Sequence, residues 1–201
     1  MLKLMEIQKK YHKNRGLIHV SLSIFPGELY LFVGENGSGK STTIKVISKV
    51  IFKDKNMGTI SNDFKRMVYL PDKRGYPRLL TVKTYLEYFL EKVPKNLVLE
   101  AWLERYCIPN KKIGSLSKGM LQKLGILQTL LTEGDLYLLD EPTDGLDVES
   151  IRKFKEDILQ LLQKKKTIII STHNKALLKE VKPIIYTFKE GICYEKKQKS
   201  T

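Results

Sequence analysis

The chain has 201 residues, of which 42% are hydrophobic. This length fits one domain, or one domain with a subsidiary lobe, and the composition excludes a disordered chain. No apolar run approaches the roughly 18 residues that a membrane-spanning helix needs, and the first residues lack the apolar centre of a signal peptide. The two cysteines, Cys107 and Cys193, are too few for a disulfide scaffold. We therefore expect a cytosolic or membrane-peripheral protein.

The net charge of +14 arises from 36 Lys and Arg residues against 22 Asp and Glu residues, and 30 of the 36 are lysines. Such a charge is typical of nucleic-acid binding, of attraction to an anionic membrane or another acidic partner, or of a solvated coat. Nucleic-acid sites favour the planar guanidinium of Arg and aromatic side chains that stack on bases. The lysines here are scattered along the chain, which favours the solvated coat and, next to it, a membrane or acidic partner. We expect no nucleic-acid partner.

Short apolar runs typical of strands alternate with helical periods, which predicts an α/β fold. The first predicted elements are the strands Leu4–Ile7, Leu17–Ile24 and Leu29–Val33, a helix over Lys40–Ile51, and the strands Gly58–Ile60 and Met67–Leu70. Helical periods without a clear strand follow at Val82–Lys92, Leu97–Tyr106 and Ser117–Leu131. The last elements are Leu136–Leu139, a helix over Val148–Leu162, Thr167–Ser171, and a hairpin of Ile184–Phe188 and Ile192–Tyr194. The pattern predicts a single domain, with a sheet core from residues 1–71 and 134–201 and an inserted helical subdomain of residues 72–133.

A glycine-rich segment directly follows the apolar run Leu29–Val33. Its sequence, GENGSGKST, fits the pattern G-x-x-x-x-G-K-[ST] between a predicted strand and a predicted helix. Glycines let backbone N–H groups turn toward phosphate oxygens, and the helix N-terminus adds the positive end of its dipole. We expect Lys40 to reach the β- and γ-phosphates and the Ser41 hydroxyl to bind Mg²⁺. The predicted nucleotide-binding residues are Gly34, Glu35, Asn36, Gly37, Ser38, Gly39, Lys40, Ser41 and Thr42.

A pair of carboxylates, Asp140 and Glu141, ends another apolar run. Ligands of open α/β sheets bind at the carboxyl ends of the strands, which is where this pair is predicted to lie. Asp140 is a candidate for holding Mg²⁺ through its water shell. Glu141 is a candidate for the general base that orients and deprotonates an attacking water. The pair and the glycine-rich segment together predict a site for nucleotide hydrolysis.

With these two motifs in place, nearly the whole chain resembles an ABC-type ATPase, the nucleotide-binding half of an ABC transporter. The segment LSKGM resembles the family signature LSGGQ, with Lys118 and Met120 as departures. In that family the signature residues, here Ser117, Lys118 and Gly119, bind the γ-phosphate that a partner subunit holds. The resemblance implies a P-loop NTPase sheet core with an N-terminal antiparallel β portion. The form SKGM also resembles the exporter branch whose permeases are of the ABC-2 type.

The same resemblance assigns four further residues. Asp147, which ends the run TDGLD, matches a loop that communicates across the dimer, and His173 matches the residue that senses the γ-phosphate. Tyr11 lies where the family places an aromatic residue that stacks on adenine. Asp72 stands where the family usually has a Gln that contacts Mg²⁺ and the membrane subunit. Because Asp is shorter than Gln and charged, we expect Asp72 to reach the metal through a bound water.

The resemblance implies ATP and Mg²⁺ as ligands and a hydrolysis reaction that depends on Lys40, Glu141 and His173. ATP would close a homodimer or heterodimer of ATPase subunits that docks on transmembrane permease subunits at the inner face of the cell membrane. Three alternatives stay open. They are a non-transport ABC protein that acts on nucleic acid or the ribosome, a regulatory subunit that binds ATP with little turnover, and a nucleotide kinase with the same phosphate loop. The kinase reading leaves the carboxylate pair and LSKGM unexplained.

Overall fold

The computed structural model describes residues 1–11, 16–89 and 97–195. Its strands are β1 (Leu2–Lys10), β2 (Gly16–Ile24), β3 (Leu29–Val33), β4 (Thr59–Asn62), β5 (Met67–Leu70), β6 (Leu136–Asp140), β7 (Thr167–Thr172), β8 (Ile184–Lys189) and β9 (Ile192–Glu195). Its α-helices are α1 (Lys40–Ile47), α2 (Val82–Phe89), α3 (Leu97–Arg105), α4 (Lys118–Leu131) and α5 (Val148–Gln163). Residues 90–92 of the predicted helix Val82–Lys92 lie outside the described residues.

The strands form one sheet in the order β4-β1-β2-β9-β8-β3-β7-β6-β5. Strands β8, β3, β7, β6 and β5 run parallel to one another, β8 pairs antiparallel with β9, and β1 pairs antiparallel with both β2 and β4. The sheet therefore has a parallel half, which carries the helices, and an antiparallel half at the N-terminus. The carboxyl ends of β3, β6 and β7 lie side by side, because these three strands are neighbours in register.

Alternate side chains of the central strands point to opposite faces of the sheet, so the interior has one hydrophobic layer on each face. In β7, Ile168 and Ile170 pack on one face of the sheet with residues of α4 and α5, and Ile169 packs on the other face with residues of α1 and the antiparallel strands. All six residues of β7 are buried. Because both faces are covered, the central strands read as continuous apolar runs rather than as alternating ones.

The first helix is shorter than predicted. α1 ends at Ile47, although the apolar period continues to Ile51. Lys49 takes a left-handed conformation with φ of 60°, and the N–H groups of Ser48 and Lys49 donate to carbonyls of the last turn. These bonds satisfy helix carbonyls that have no partner further along the chain, so the helix stops there.

Helices α2, α3 and α4 lie between β5 and β6 in the sequence, and a buried polar contact ties this insertion to α5. The Tyr106 hydroxyl, just after α3, donates to Asp157 Oδ2 on α5 at 2.6 Å. The Arg105 guanidinium donates to Asp157 Oδ1 at 2.9 Å and to Glu156 at 3.0 Å. Asp157 is 3% exposed, so its charge is compensated inside the protein rather than by solvent.

Candidate nucleotide site

The glycine-rich segment forms a tight loop between β3 and α1. Gly39 is the N-cap of α1 and has φ of 113°, a conformation in which a side chain is strained. A Cβ at Gly34 would lie 2.3 Å from the Phe188 carbonyl oxygen, so the loop also needs a glycine where it passes β8. The loop is held on that side by the Gly191 N–H, which donates to the Ser38 carbonyl at 2.9 Å. The backbone is thereby fixed in a compact turn in front of a helix N-terminus.

Lys40 lies inside this loop with 4% of its surface exposed. Its ammonium group donates to the carbonyls of Gly34 at 2.7 Å and Glu35 at 3.0 Å. Its Nζ also lies 3.4 Å from Glu141 Oε1. A buried cation is therefore held in place by two carbonyls and one carboxylate, at the edge of a cleft of about 260 Å³. The cleft is lined by residues 36–42, Asp72, Glu141 and Asp144.

Asp140 lies behind the cleft and is fully buried. Its Oδ1 accepts from the Ser41 hydroxyl at 2.7 Å and from the Ser171 hydroxyl at 2.5 Å, whereas its buried Oδ2 has no partner among the described residues. A carboxylate oxygen without a donor, next to a serine hydroxyl, is the oxygen-rich set that Mg²⁺ prefers. The donor set of Asp140 and Ser41 therefore fits the predicted metal. Ser171 was not singled out from the sequence, because nothing local to Thr167–Thr172 shows that it faces β6.

Glu141 follows β6 and leaves the strand conformation, with φ of 46°. Its side chain is about 10% exposed and lies 3.4 Å from the Lys40 ammonium and 3.5 Å, through Oε2, from His173 Nδ1. Burial raises the pKa of Glu141 above its usual value of 4.5, and the Asp144 charge adds to that rise, while Lys40 and His173 oppose it. A carboxylate with a raised pKa is a stronger base toward water than an exposed one.

His173 and Asp144 complete the open side of the cleft. His173 Nδ1 lies 3.8 Å from Asp144 Oδ1, and its side chain is 65% exposed. The ligand atoms of Glu141, Asp144 and His173 all lie within 4.8 Å of one another. The sequence predicted Glu141 and His173 but missed Asp144, although it stands inside the run TDGLD. Asp72 also lines the cleft and is exposed, which leaves room for water between its carboxylate and the loop.

The signature residues lie elsewhere. Ser117 is the N-cap of α4, where its hydroxyl accepts from the Met120 N–H at 3.2 Å, and both Ser117 and Lys118 are exposed. Gly119 lies beside the Gly145 carbonyl, 3.3 Å from where a Cβ would be. Of the residues that the structure describes, none from 117–119 lines the cleft at Lys40.

Asp147 is the N-cap of α5 and connects that helix to α4. Its Oδ1 accepts from the Ser150 N–H at 2.7 Å, and its Oδ2 lies 2.8 Å from Lys123 Nζ. The Lys123 ammonium and the Ser150 N–H hold the pKa of Asp147 well below its usual value, so the carboxylate is charged at all physiological pH values.

Tyr11 lies in a different cleft, of about 450 Å³, between the ends of β1 and β2. Its ring is 44% exposed, and the Lys9 ammonium lies 5.9 Å from the ring centroid. An accessible aromatic face of this kind can stack on a base. The structure thus places Tyr11 on the surface but not among the residues that line the Lys40 cleft.

A sequence profile described as ABC transporter matches residues 17–144, which is more than half of the chain. The chain belongs to the ABC transporter family. It is an ATP-binding domain of the ABC type with the ATPase function of that family, and the predicted family, fold class and activity are confirmed. The assignment of individual residues within the site stays a prediction.

Two relatives and one solved structure show the extent of the similarity. An uncharacterised ABC transporter ATP-binding protein of Methanocaldococcus jannaschii is 31% identical over an alignment of 212 positions, which spans 96% of this chain and 79% of the relative. The lantibiotic transport ATP-binding protein SrtF of Streptococcus pyogenes is 29% identical over 98% of this chain and 88% of its own length. A dimeric ATP-binding cassette bound to ADP and Pi has the same fold, with a TM-score of 0.81 at 23% identity over the whole of both chains. Within residues 1–11, 16–89 and 97–195, the ABC domain contains no helix long and apolar enough to cross a membrane.

Proposed function

We propose that this ABC ATPase powers a membrane exporter, and that two subunits close over ATP, each contributing a different half of the pocket. The observation that carries the proposal is the separation of the two halves. Lys40, Ser41 and Glu141 meet at one cleft with Asp140 behind it, whereas Ser117 and Lys118 lie exposed at another helix N-terminus that does not line this cleft. A γ-phosphate held at Lys40 would therefore need its second set of donors from another molecule.

The residues around Lys40 can bind a triphosphate and activate the water that attacks it. The loop amides, the α1 N-terminus and the Lys40 ammonium supply positive charge where the phosphates would lie. Glu141 has the position and the raised pKa to accept a proton from the attacking water, and His173 lies beside it to steady the γ-phosphate. Mg²⁺ bound through Ser41 and Asp140 would neutralise charge on the phosphate oxygens, and Asp72 would bond to water in its shell.

The surface around Ser117 has the properties of a contact with a second subunit. Ser117 and Lys118 are exposed, Gly119 after them lies beside Gly145, and Val148 next to Asp147 is 85% exposed. A large apolar side chain left this accessible on a helix N-terminus fits a surface that a partner covers. The cassette with the same fold is itself dimeric, which supports a two-fold arrangement. In our proposal each signature faces the other subunit's loop. The two subunits are identical or close paralogues in this proposal.

We further propose that residues 72–133 act as the helical subdomain that receives the permease, with residues 1–71 and 134–201 as the core. Three large apolar side chains of this segment are strongly exposed: Leu79 at 82%, Tyr88 at 75% and Phe89 at 55%. They offer an apolar surface for a transmembrane partner at the inner face of the membrane. Export is supported by the SKGM resemblance, and the SrtF relative is itself assigned to lantibiotic transport.

Two variants test the composite site. Glu141→Gln should reduce ATP turnover to a slow residual rate while ATP binding and an ATP-dependent dimer persist, because only the base is removed. Ser117→Arg should prevent the dimer, because a bulky cation then occupies the γ-phosphate position of the partner. Ser61→Arg adds the same charge on the exposed edge strand β4 and serves as the control. Normal turnover in Glu141→Gln, or a normal ATP-driven dimer of Ser117→Arg in size-exclusion chromatography, would overturn the proposal.

A further inference from the structure

The backbone of Glu141 is strained and is held from both sides. A non-glycine residue in the left-handed region is strained and persists only where its surroundings enforce it. The Glu141 N–H donates to the Ser171 hydroxyl at 2.9 Å, on the β7 side. On the other side, the Gln122 side-chain amide donates to the carbonyls of Glu141 at 3.2 Å and Pro142 at 2.7 Å. Gln122 belongs to α4, so the strand end is anchored to a helix of the insertion.

Arg74 fixes the orientation of Gln122. The Arg74 guanidinium donates through Nη2 to Gln122 Oε1 at 2.7 Å and through Nε to the Pro71 carbonyl at 2.7 Å. A guanidinium carries only donors, so it can meet only the oxygen of the amide. The amide nitrogen must then face the two carbonyls at the strand end. Arg74 thus selects the one orientation in which Gln122 can hold Glu141.

Gly125 provides the space for this contact. It is a buried residue inside α4, where glycine is less favourable than alanine. A Cβ at Gly125 would lie 1.8 Å from Arg74 Nη1 and 2.8 Å from the Tyr76 hydroxyl. The helix therefore carries an unfavourable residue at the point where the guanidinium lies across it.

We propose that Arg74 and Gln122 are positioning residues for the general base Glu141, and that the missing side chain of Gly125 leaves the space that Arg74 occupies. This inference rests on the proposed role of Glu141. Hydrogen bonds thus connect the loop after β5, which also carries Asp72, through Arg74 and Gln122 of α4 to the end of strand β6. A displacement of that loop would withdraw Arg74, free the Gln122 amide and release the backbone that aims Glu141.

Two variants break the path at different points without touching the phosphate loop. Gln122→Leu removes the amide, and Gly125→Ala displaces the flexible end of Arg74 while improving the helix propensity of α4. Gln128→Leu is the matched control, because Gln128 lies on the same helix but accepts from the Tyr85 hydroxyl instead. We expect kcat for ATP hydrolysis by the full chain to fall about tenfold or more in both variants, since small displacements of a catalytic group have effects of this size. KM for ATP should stay within about twofold, because the ground-state contacts to ATP are retained.

A double-variant test separates positioning from general structure. If Gln122 acts through Glu141, then adding Gln122→Leu or Gly125→Ala to Glu141→Gln should leave the residual single-turnover rate unchanged. Hydrogen exchange of residues 141–146 should rise in both variants and not in Gln128→Leu, while exchange of residues 40–47 stays constant. If Gln122→Leu does not fold, Gly125→Ala decides the test.

The possible failures are distinguishable. Wild-type turnover in Glu141→Gln would overturn both the base and the positioning proposals. Loss of turnover in Glu141→Gln, combined with wild-type kcat in Gly125→Ala and Gln122→Leu, would overturn only the positioning proposal. A change confined to KM, or a further fall of the residual rate in the Glu141→Gln background, would also overturn it.

Discussion

The contact between Tyr106 and Asp157 gives the most quantitative prediction for how the helical insertion is fastened to the core. Tyr106 is 1% exposed and Asp157 is 3% exposed, so no solvent replaces the hydroxyl when it is removed. Burial and the adjacent Asp157 carboxylate raise the pKa of Tyr106, so the hydroxyl stays protonated and acts as the donor. Tyr106→Phe deletes this one donor and leaves the ring in place.

A hydrogen bond to a charged group contributes about 1.5–3 kcal/mol, which in a protein of this size lowers Tm by about 3–12 °C. The decrease in the free energy of unfolding should be smaller than for a buried charge without any partner, because Arg105 still donates to Asp157 Oδ1. Thermal and urea unfolding of Tyr106→Phe measure the effect. Tyr194→Phe, at a tyrosine that is 53% exposed, is the control and should change Tm little.

A double-variant cycle with Asp157→Asn tests whether the change in unfolding free energy comes from the contact between Tyr106 and Asp157. The two changes should be less than additive, because each removes the same charge-assisted bond. Destabilisation of less than about 0.5 kcal/mol by Tyr106→Phe would refute the reasoning, since that is the range of ordinary surface substitutions.

Three further predictions concern the site. Burial raises the pKa of Glu141, so the folded protein binds a proton at this carboxyl more tightly than the unfolded chain does. The stabilisation from this proton is complete below the usual pKa of 4.5 and is lost as pH rises through the folded-state pKa. Glu141→Gln should therefore have a higher Tm than wild type at pH 8 and no advantage below pH 4.5, as measured by calorimetry of the ATP-free chain; a lower Tm at pH 8 would contradict this. Ser41→Ala should reduce the gain in ATP affinity on adding MgCl₂ by about tenfold, as titration calorimetry can show, and an unchanged gain would exclude Ser41 as a ligand. His173→Ala should lower kcat about a hundredfold with Tm unchanged, because the side chain is 65% exposed; unaltered kcat would remove His173 from the reaction.

The order and type of the described elements could be predicted because the local signals are strong. Central strands such as Leu136–Asp140 are buried on both faces and appear as apolar runs that end in polar residues. Boundaries were less certain where backbone conformation ended an element. The left-handed Lys49 stopped α1 four residues before the apolar period ended.

Contacts between distant parts of the chain could not be read from local patterns. Ser171 bonds to a carboxylate 31 positions away, and Arg74 bonds to a side chain 48 positions away. Gly125 appears in the sequence only as an unfavourable residue in a helical period. Its role becomes visible once the fold brings the Arg74 guanidinium against α4.

Mixing two inactive variants tests the composite pocket most directly. Lys40→Ala disables the phosphate loop of a subunit, and Ser117→Arg disables its signature, so neither variant can form an intact pocket by itself. In a mixed dimer, the intact loop of one subunit faces the intact signature of the other and restores one pocket. We predict that neither variant hydrolyses ATP alone and that an equimolar mixture recovers up to about half of wild-type turnover, because each mixed dimer has one intact pocket of two. Absence of any recovery in mixtures that demonstrably form mixed dimers, or substantial activity of Ser117→Arg alone, would contradict the account.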